Sequence, residues 1–450
     1  MHIAIVGCGD VGLVTGGCLA SLGHHVSCVD CDLERVGSLL EGRIPIGEPH
    51  LKEVIAAARA AGRIEFSGDL PAAVSIAEAI FICVGAPPLE NGEADLSAID
   101  AVARVIAGAA RGPKLVVEKR TVPVRTGEQL RRTLEVYGRT KGARFQVVSN
   151  PEFLREGSAV FDFLHPDRIV VGVEEPSAAE KMREIYRPIL ERKFACAVHN
   201  GSCPPAPLPQ FVVTTVKSSE LIKYASNSFL ALKISYANQL ADLCERLGAD
   251  VEEVTRAMGM DPRIGPHFLR AGIGFGGSRF PKRIQAFYRF AERAGVNFML
   301  LKEAERINKQ CIDRFVAKAR RALWVLKGKQ VGVLGLTYKP HTDDIRSAPP
   351  LEVLRQFLAE GASVRAYDPQ GMKGTEPIFP TVKYCNDAYE VAAGTDVILL
   401  LTEWPEFREL DWQRVYGLMV RPLVLDGRNL LDPPKMRELG FEYHSIGRRD

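Results

Sequence analysis

The first thirty residues constrain this chain more than any other stretch. His2-Ile3-Ala4-Ile5-Val6-Gly7 is an apolar run closed by glycine, Gly7-Cys8-Gly9-Asp10-Val11-Gly12 follows it, and after a helix-compatible segment His24 to Asp30 forms a second apolar run ending in a carboxylate. A strand, a GxGxxG turn, a helix and a second strand ending in Asp predict a βαβ unit built for a dinucleotide. Gly7, Gly9 and Gly12 allow the tight turn and let a pyrophosphate approach the helix N-terminus. Asp30 would take the ribose hydroxyls, and its charge, opposed to a 2′-phosphate, points to NAD rather than NADP. Asp10 stands against this reading, because it adds a carboxylate where the diphosphate should lie.

Further buried-strand patterns lie at 79–84, 115–117 and 145–148, with helical patterns between them, which predicts an α/β fold with a doubly wound parallel sheet. A second set, at 329–335, 362–369 and 396–402, repeats the order strand, strand ending in Asp, strand, and predicts a second Rossmann-like domain. Between them Ser218 to Leu247 carries apolar residues at helical spacing without proline or glycine and should be one long helix. Residues 200–209 are rich in proline and glycine and mark a boundary. The expected division is an N-terminal cofactor domain over 1–203, a central helical dimerisation domain over 204–325 and a C-terminal nucleotide-sugar domain over 326–450. Leu230, Ile234, Ala237, Leu240 and Ala241 fall on one stripe of the long helix and predict a homodimer through it.

A net charge of +3 is too mild to argue for nucleic acid or an anionic membrane, and no apolar run reaches the roughly 20 residues of a membrane span. With a strand starting at residue 2 there is no room for a signal peptide, so a cytoplasmic protein is expected. The ten cysteines are scattered and read as reduced thiols. Cys28 and Cys31 form one close pair, without a second pair or histidines at ligand spacing, so no metal site is expected.

The motifs taken together resemble the UDP-glucose/GDP-mannose dehydrogenase family from end to end. They are GCGDVGLVTGGCLA at the start, PIGEPHL at 45–51, FICVGAPP at 81–88, KRTVPVRTG at 119–127, NPEFLREGSAV at 150–160, PDRIVVG at 166–172, ELIKYASNSFLALKISYAN at 220–238, DPRIG at 261–265, the glycine loop GIGFGGSRFPKR at 272–283, GLTYKPHTDDIRSAP at 335–349 and DGRNLLD at 426–432. Members of this family oxidise a nucleotide-sugar alcohol twice, to a carboxylate, reducing two NAD. The resemblance implies that Lys223 and Asn227 polarise the reacting oxygen, with Glu152 and Thr121 beside them to position a proton acceptor or water. It places Glu156 near the nicotinamide, and Val11, Arg35 and Val84 with the glycines and Asp30 in the cofactor site. Arg263, Phe275, Gly276, Arg279, Lys339 and Arg428 would hold the nucleotide sugar.

One departure is large. In the family the glycine loop ends in a cysteine that captures the aldehyde as a thiohemiacetal, with an aspartate four residues later; here those positions are Arg279 and Arg283. A guanidinium stays protonated and offers only donors, so covalent capture at this site is closed. Arg120 and Arg125 likewise replace a serine and a glycine of the family's KSTVPVGT segment. Three readings follow. The chain is an NAD-dependent oxidoreductase that stops after one hydride transfer or runs a redox-neutral cycle, with arginines facing an anionic group on the nucleotide sugar. It is a catalytically inactive binding homologue. Or it is an ordinary UDP-glucose 6-dehydrogenase that oxidises a hydrated aldehyde or uses another thiol such as Cys83.

Overall fold

The structure is a computed structural model that describes residues 1–87, 89, 94–139, 142–199, 203–277 and 280–448. The chain divides into two compact units, Met1–Ala225 and Ser226–Asp450, and the division falls inside the long helix Val216–Leu247.

The first unit is built on eight strands: β1 (His2–Val6), β2 (His25–Val29), β3 (Ile64–Ser67), β4 (Ala79–Ile82), β5 (Lys114–Glu118), β6 (Phe145–Ser149), β7 (Arg168–Gly172) and β8 (Gln210–Thr214). They lie side by side in the order β3-β2-β1-β4-β5-β6-β7-β8. Alternation along the strands loads both faces. Ile3, Ile5, Phe81 and Val117 enter one core, and Ala4, Val6, Ile80, Ile82 and Val116 the other. A sheet covered by helices on both faces needs this near-continuous apolar character. The chain passes from β1 to β2 on one side and returns to β4 on the other, so a crevice opens at the carboxyl ends of β1 and β4.

The sheet departs from the all-parallel expectation at one place. β7 runs antiparallel to β6, pairing Ser149 with Gly172. A parallel neighbour requires a crossover back to the far edge. The link from β6 contains only the six-residue helix Ala159–Leu164, so the chain re-enters the sheet from the end where β6 stopped. The loop thus kept at the strand ends is the one carrying Glu152 and Glu156.

The second unit begins with helices, among them Val251–Gly259, Phe280–Arg293 and the 25-residue Met299–Leu323. A six-stranded parallel sheet follows, of β9 (Gln330–Leu334), β10 (Ser363–Tyr367), β11 (Lys383–Tyr384), β12 (Val397–Leu400), β13 (Leu423–Asp426) and β14 (Glu442–His444), in the order β11-β10-β9-β12-β13-β14. This is the Rossmann order. Its turn after β9 repeats that after β1: Gly335 has φ 98° and Gly7 φ 99°. Asp368, just past β10, accepts through Oδ2 from the Leu336 and Thr337 amides, the Thr337 hydroxyl and the Trp404 indole, and through Oδ1 from the Gln370 and Gly371 amides. In both units helices begin on aspartate caps, among them Asp32, Asp69, Asp250, Asp411 and Asp432, each worth about 1 kcal/mol. No helix among the described residues is long and apolar enough to cross a membrane.

The stripe expected at the dimer contact is largely occupied within the chain. Ala237 and Ala241 are buried, and Leu230, Ile234 and Leu240 are half-buried. The apolar side chains left exposed on this helix in the second unit are Phe229, Tyr236, Leu243 and Leu247, the first three spaced by seven residues.

Candidate active site

In the first unit the turn after β1 is fixed by two close approaches. Gly7 takes φ 99°, and a Cβ there would sit 3.0 Å from the Val84 nitrogen. A Cβ on Gly12 would lie 1.8 Å from the Gly7 carbonyl oxygen. Gly9 caps the helix Asp10–Ser21, and a Cβ built on it meets nothing within 4 Å. The cradle is therefore tight where protein meets protein and open where a pyrophosphate would lie against the helix N-terminus, which fits the dinucleotide. Val11 is buried in the first turn of that helix.

Asp30 stands beside this opening. It accepts from the Cys8 amide at 2.7 Å and the Asp32 amide at 3.0 Å, and pairs with Arg35 at 3.1 Å. Burial pushes its carboxyl up, but the Asp32 and Cys8 amides and the Arg35 guanidinium outweigh burial and hold it below the usual carboxylate range. It is thus an anion at neutral pH. Arg35 is tied also to Asp32 at 3.3 Å, so its charge is spent on carboxylates. The objection raised by Asp10 is answered by Arg120, whose guanidinium lies 3.3 Å from it.

Deeper in the same unit, Lys223 and Glu152 form a pair at 3.4 Å with side chains 4% and 0% exposed. The Lys223 ammonium lies over the Phe153 ring at 4.9 Å, and Glu152 accepts from the Leu154 amide at 2.9 Å. The Thr121 hydroxyl is buried without a hydrogen-bond partner. Glu156 is half-buried in the loop after β6. Beside them are residues that the sequence reading did not assign, although they lie inside its motifs. Lys119, in KRTVP, is buried and donates to Asn150 at 3.0 Å; Asn150, in NPEF, also accepts from Tyr186 at 2.8 Å. Burial brings the Lys119 ammonium down to about 8, against the opposing pull of Cys83 and Glu152. Glu48, in PIGEPHL, accepts from the Gly157 and Ala159 amides at 2.9 and 2.6 Å, and so fixes the end of the Glu152 loop at the start of the next helix. Cys83 is buried, and burial pushes its thiol up to about 12 despite Arg120 and Lys119, so it is a poor nucleophile at neutral pH.

The second unit holds the other expected residues. Asn227 carries a buried Nδ2 without a partner. In the glycine loop the amides of Gly272 and Phe275 donate to Asn238 and Asn308, both at 2.8 Å. A Cβ on Gly274 would come within 2.6 Å of Asn308, and one on Gly276 within 2.4 Å of the Ser347 carbonyl. The glycines expected to admit a ligand are thus demanded first by the protein's own atoms. Arg428 donates to the carbonyls of Leu401 and Gly274, each at 2.9 Å, and braces the loop. Phe275 packs edge-on against Phe280 at 5.2 Å, and the Lys339 ammonium lies 5.5 Å over the Tyr338 ring. Arg263 pairs with Asp261 and is 87% exposed. Arg279 lies outside the described residues.

The expectation of no histidines at ligand spacing to a cysteine is corrected. His165, Cys196, His199 and Cys203 bring their donor atoms within 4.8 Å of one another. Cys196, His199 and Cys203 follow the helix Pro176–Leu190 and lie within eight residues of one another, a ligand spacing that the reading of Cys28 and Cys31 passed over, and folding adds His165 from the end of the helix Ala159–Leu164.

Comparison with known proteins agrees with this geometry. Sequence profiles of the UDP-glucose/GDP-mannose dehydrogenase family match residues 1–190 (NAD binding domain), 217–310 (central domain) and 332–433 (UDP binding domain). The chain is 43% identical over 456 residues to a UDP-glucose 6-dehydrogenase of Rhizobium meliloti, covering 100% of both. It is 40% identical to one of Bacillus subtilis, covering 99% of this chain and 93% of that protein. Among solved structures, a UDP-glucose dehydrogenase from Pyrobaculum islandicum superimposes with a TM-score of 0.87 at 37% identity, covering 100% of this chain and 98% of that one. NAD is the cofactor that the N-terminal match indicates, and a nucleotide sugar is the substrate class that the C-terminal match indicates. With two Rossmann-like sheets, an open glycine cradle and profile matches along most of its length, the chain belongs to the UDP-glucose/GDP-mannose dehydrogenase family.

Proposed function

We propose that the protein oxidises the primary alcohol of a UDP-sugar to the aldehyde with one NAD reduced, and does not carry the aldehyde on through a thioester. The observation behind the first half is the buried Lys223–Glu152 pair at 3.4 Å. The ammonium stabilises the negative charge that grows on the sugar oxygen, Glu152 accepts the hydroxyl proton, and the Thr121 hydroxyl, otherwise unpartnered, has a hydrogen bond to give. NAD, when bound in the cradle, supplies the acceptor for the hydride that leaves the carbon. One C–H and one O–H bond break, the C=O bond forms, and the products are aldehyde, reduced cofactor and a proton.

The second half rests on the thiols. Between Gly272 and Arg283 there is no cysteine, and the Cys83 thiol is pushed up to about 12. Neither offers a thiolate to hold the aldehyde. Arg279 then serves as a fork of donors for an anionic group on the nucleotide sugar. In this reading residues 1–203 carry the cofactor, 204–325 the dimer contact and 326–450 the nucleotide, in a cytoplasmic homodimer.

The test is to incubate the protein with NAD and a panel of UDP-sugars while following cofactor reduction and product mass. One reduced cofactor per sugar and an aldehyde product are expected. Two per sugar with a carboxylate product would overturn the proposal in favour of full 6-dehydrogenase chemistry. Binding without any reduction would favour a catalytically inactive homologue.

A further inference from the structure

We propose that His165, Cys196, His199 and Cys203 form a structural zinc site in the first unit. The contacts among them are 3.1 Å between His165 Nε2 and Cys196 Sγ, 3.4 Å between Cys196 Sγ and His199 Nδ1, and 3.7 Å between His165 Nε2 and Cys203 Sγ. Zinc–sulfur bonds of about 2.3 Å and zinc–nitrogen bonds of about 2.0 Å at tetrahedral angles put sulfur and nitrogen roughly 3.5 Å apart. The three distances straddle that edge, so a central ion needs only small side-chain movements. The His165 and His199 rings meet edge to face with centroids 4.9 Å apart, and a nitrogen of each lies within 3.4 Å of the Cys196 sulfur.

The donor set selects the metal. Two thiolates and two imidazoles at tetrahedral spacing suit zinc, whereas calcium and magnesium take oxygen ligands. Cys196, His199 and Cys203 are spaced as Cys-x2-His-x3-Cys, close enough to bind as one loop, and His165 joins them from 31 positions before Cys196. On binding, two Zn–S and two Zn–N bonds form and the thiols release two protons to water; the imidazoles bind neutral. The complex carries no net charge, which suits a place where Cys196 is buried and the other three are half-buried. Four protein donors close the coordination sphere, so the site is structural and leaves no position for a substrate.

Its function is to hold a segment that has little else. The chain from Glu191 to Pro209 forms no helix or strand of its own among the described residues, yet Phe194, Ala197 and Val198 pack on the core beneath. Zinc would pin that segment to the end of the helix Ala159–Leu164. From there the chain enters β8 and the helix that bears Lys223, so the metal would steady the approach to the Lys223–Glu152 pair without touching it.

The experiment uses the untagged full-length chain, purified under reducing conditions without chelator. Metal analysis should find one zinc per chain. Stripping the protein and adding cobalt should give the intense visible bands of a tetrahedral centre together with thiolate-to-cobalt charge transfer. Cys203→Ser and His199→Ala should each lose the metal while still binding NAD. A pale octahedral cobalt spectrum in the parent chain would overturn the proposal even if the variants fail to fold. So would zinc content unchanged in both variants.

Discussion

The two glycines on either side of the first helix start make a sharp contrast that a pair of alanine substitutions can read. A methyl group on Gly12 would sit 1.8 Å from the Gly7 carbonyl oxygen, against roughly 3.3–3.6 Å for an ordinary carbon–oxygen contact. The backbone must move by more than an ångström to admit it. Overpacking of that size costs about 3 kcal/mol or more, which for a unit of this size lowers the melting temperature by roughly 6–12 °C. Gly9→Ala places its methyl where nothing lies within 4 Å, with φ −80° that any residue accepts. Its cost to stability is that of a poorer cap, about 1 kcal/mol. The same methyl stands in the path of the pyrophosphate and holds it off the helix amides. Losing one charge-assisted hydrogen bond costs about 1.5–3 kcal/mol, a weakening of NAD by about 10- to 150-fold. Calorimetric titration with NAD and thermal melting without it separate the two effects. If Gly9→Ala binds NAD as the parent does, the pyrophosphate does not lie on this helix start and the cradle argument fails. If Gly12→Ala melts like the parent, the close approach to Gly7 is not what fixes the turn.

Other substitutions reach further into the site. Asp30→Ala should weaken NAD and erase its preference over NADP; equal affinity for the two cofactors in the parent would refute the role given to this carboxylate. Lys223→Met should cut cofactor reduction with a UDP-sugar at least about a hundredfold while leaving NAD affinity intact, and retained turnover would remove the lysine from the reaction. Burial raises the Glu220 carboxyl from 4.5 to about 6, against the amides of Gly127 and Arg125 that favour its charged form. The folded chain therefore keeps a proton that the unfolded chain has lost, so this residue's stabilisation is complete below pH 4.5 and falls by about 2 kcal/mol as pH climbs through 6. Denaturation midpoints across that range, parent minus Glu220→Gln, should show the decline; a flat difference would contradict it. If the proposed homodimer forms through the exposed face of the long helix, Phe229→Glu with Tyr236→Glu should turn a dimeric parent into a monomer in light scattering; a monomeric parent, or a dimer unchanged by the pair, would refute that contact.

Much of the fold was readable because its signals are local. The apolar runs at β1, β2, β4, β5, β9, β10 and β12 stand within a residue or two of their observed bounds, and the long helix begins at Val216 rather than Ser218. What escaped depends on contacts distant in sequence. The reversal at β7 follows from a short connection rather than from any property of Arg168 to Gly172. The second long helix, Met299–Leu323, is charged and shows its apolar stripe only against its neighbours. In the site, Asp30 and its glycines declared themselves by spacing, whereas Lys119 and Asn150 sat inside known motifs with nothing local to mark their mutual hydrogen bond. Arg428 was singled out only through the resemblance; its hydrogen bonds to the Leu401 and Gly274 carbonyls join residues 27 and 154 positions away and have no local signal. The histidine–cysteine cluster is mixed: Cys196, His199 and Cys203 form a local Cys-x2-His-x3-Cys spacing that the reading centred on Cys28 and Cys31 passed over, and only His165, 31 positions before Cys196, needed the fold.

Asp368 bears on how many cofactors one chain can take up. A carboxylate offers about four lone-pair positions, and this one already receives six donors from its own chain. Asp30, in the equivalent place of the first sheet, receives three and keeps capacity for a ribose. The C-terminal sheet has the strand order and the positive-φ glycine of a dinucleotide fold, yet its acidic residue is deaf to a sugar hydroxyl. Titration should accordingly saturate at one NAD per chain, with the second sheet left to a ligand that makes no demand on that carboxylate.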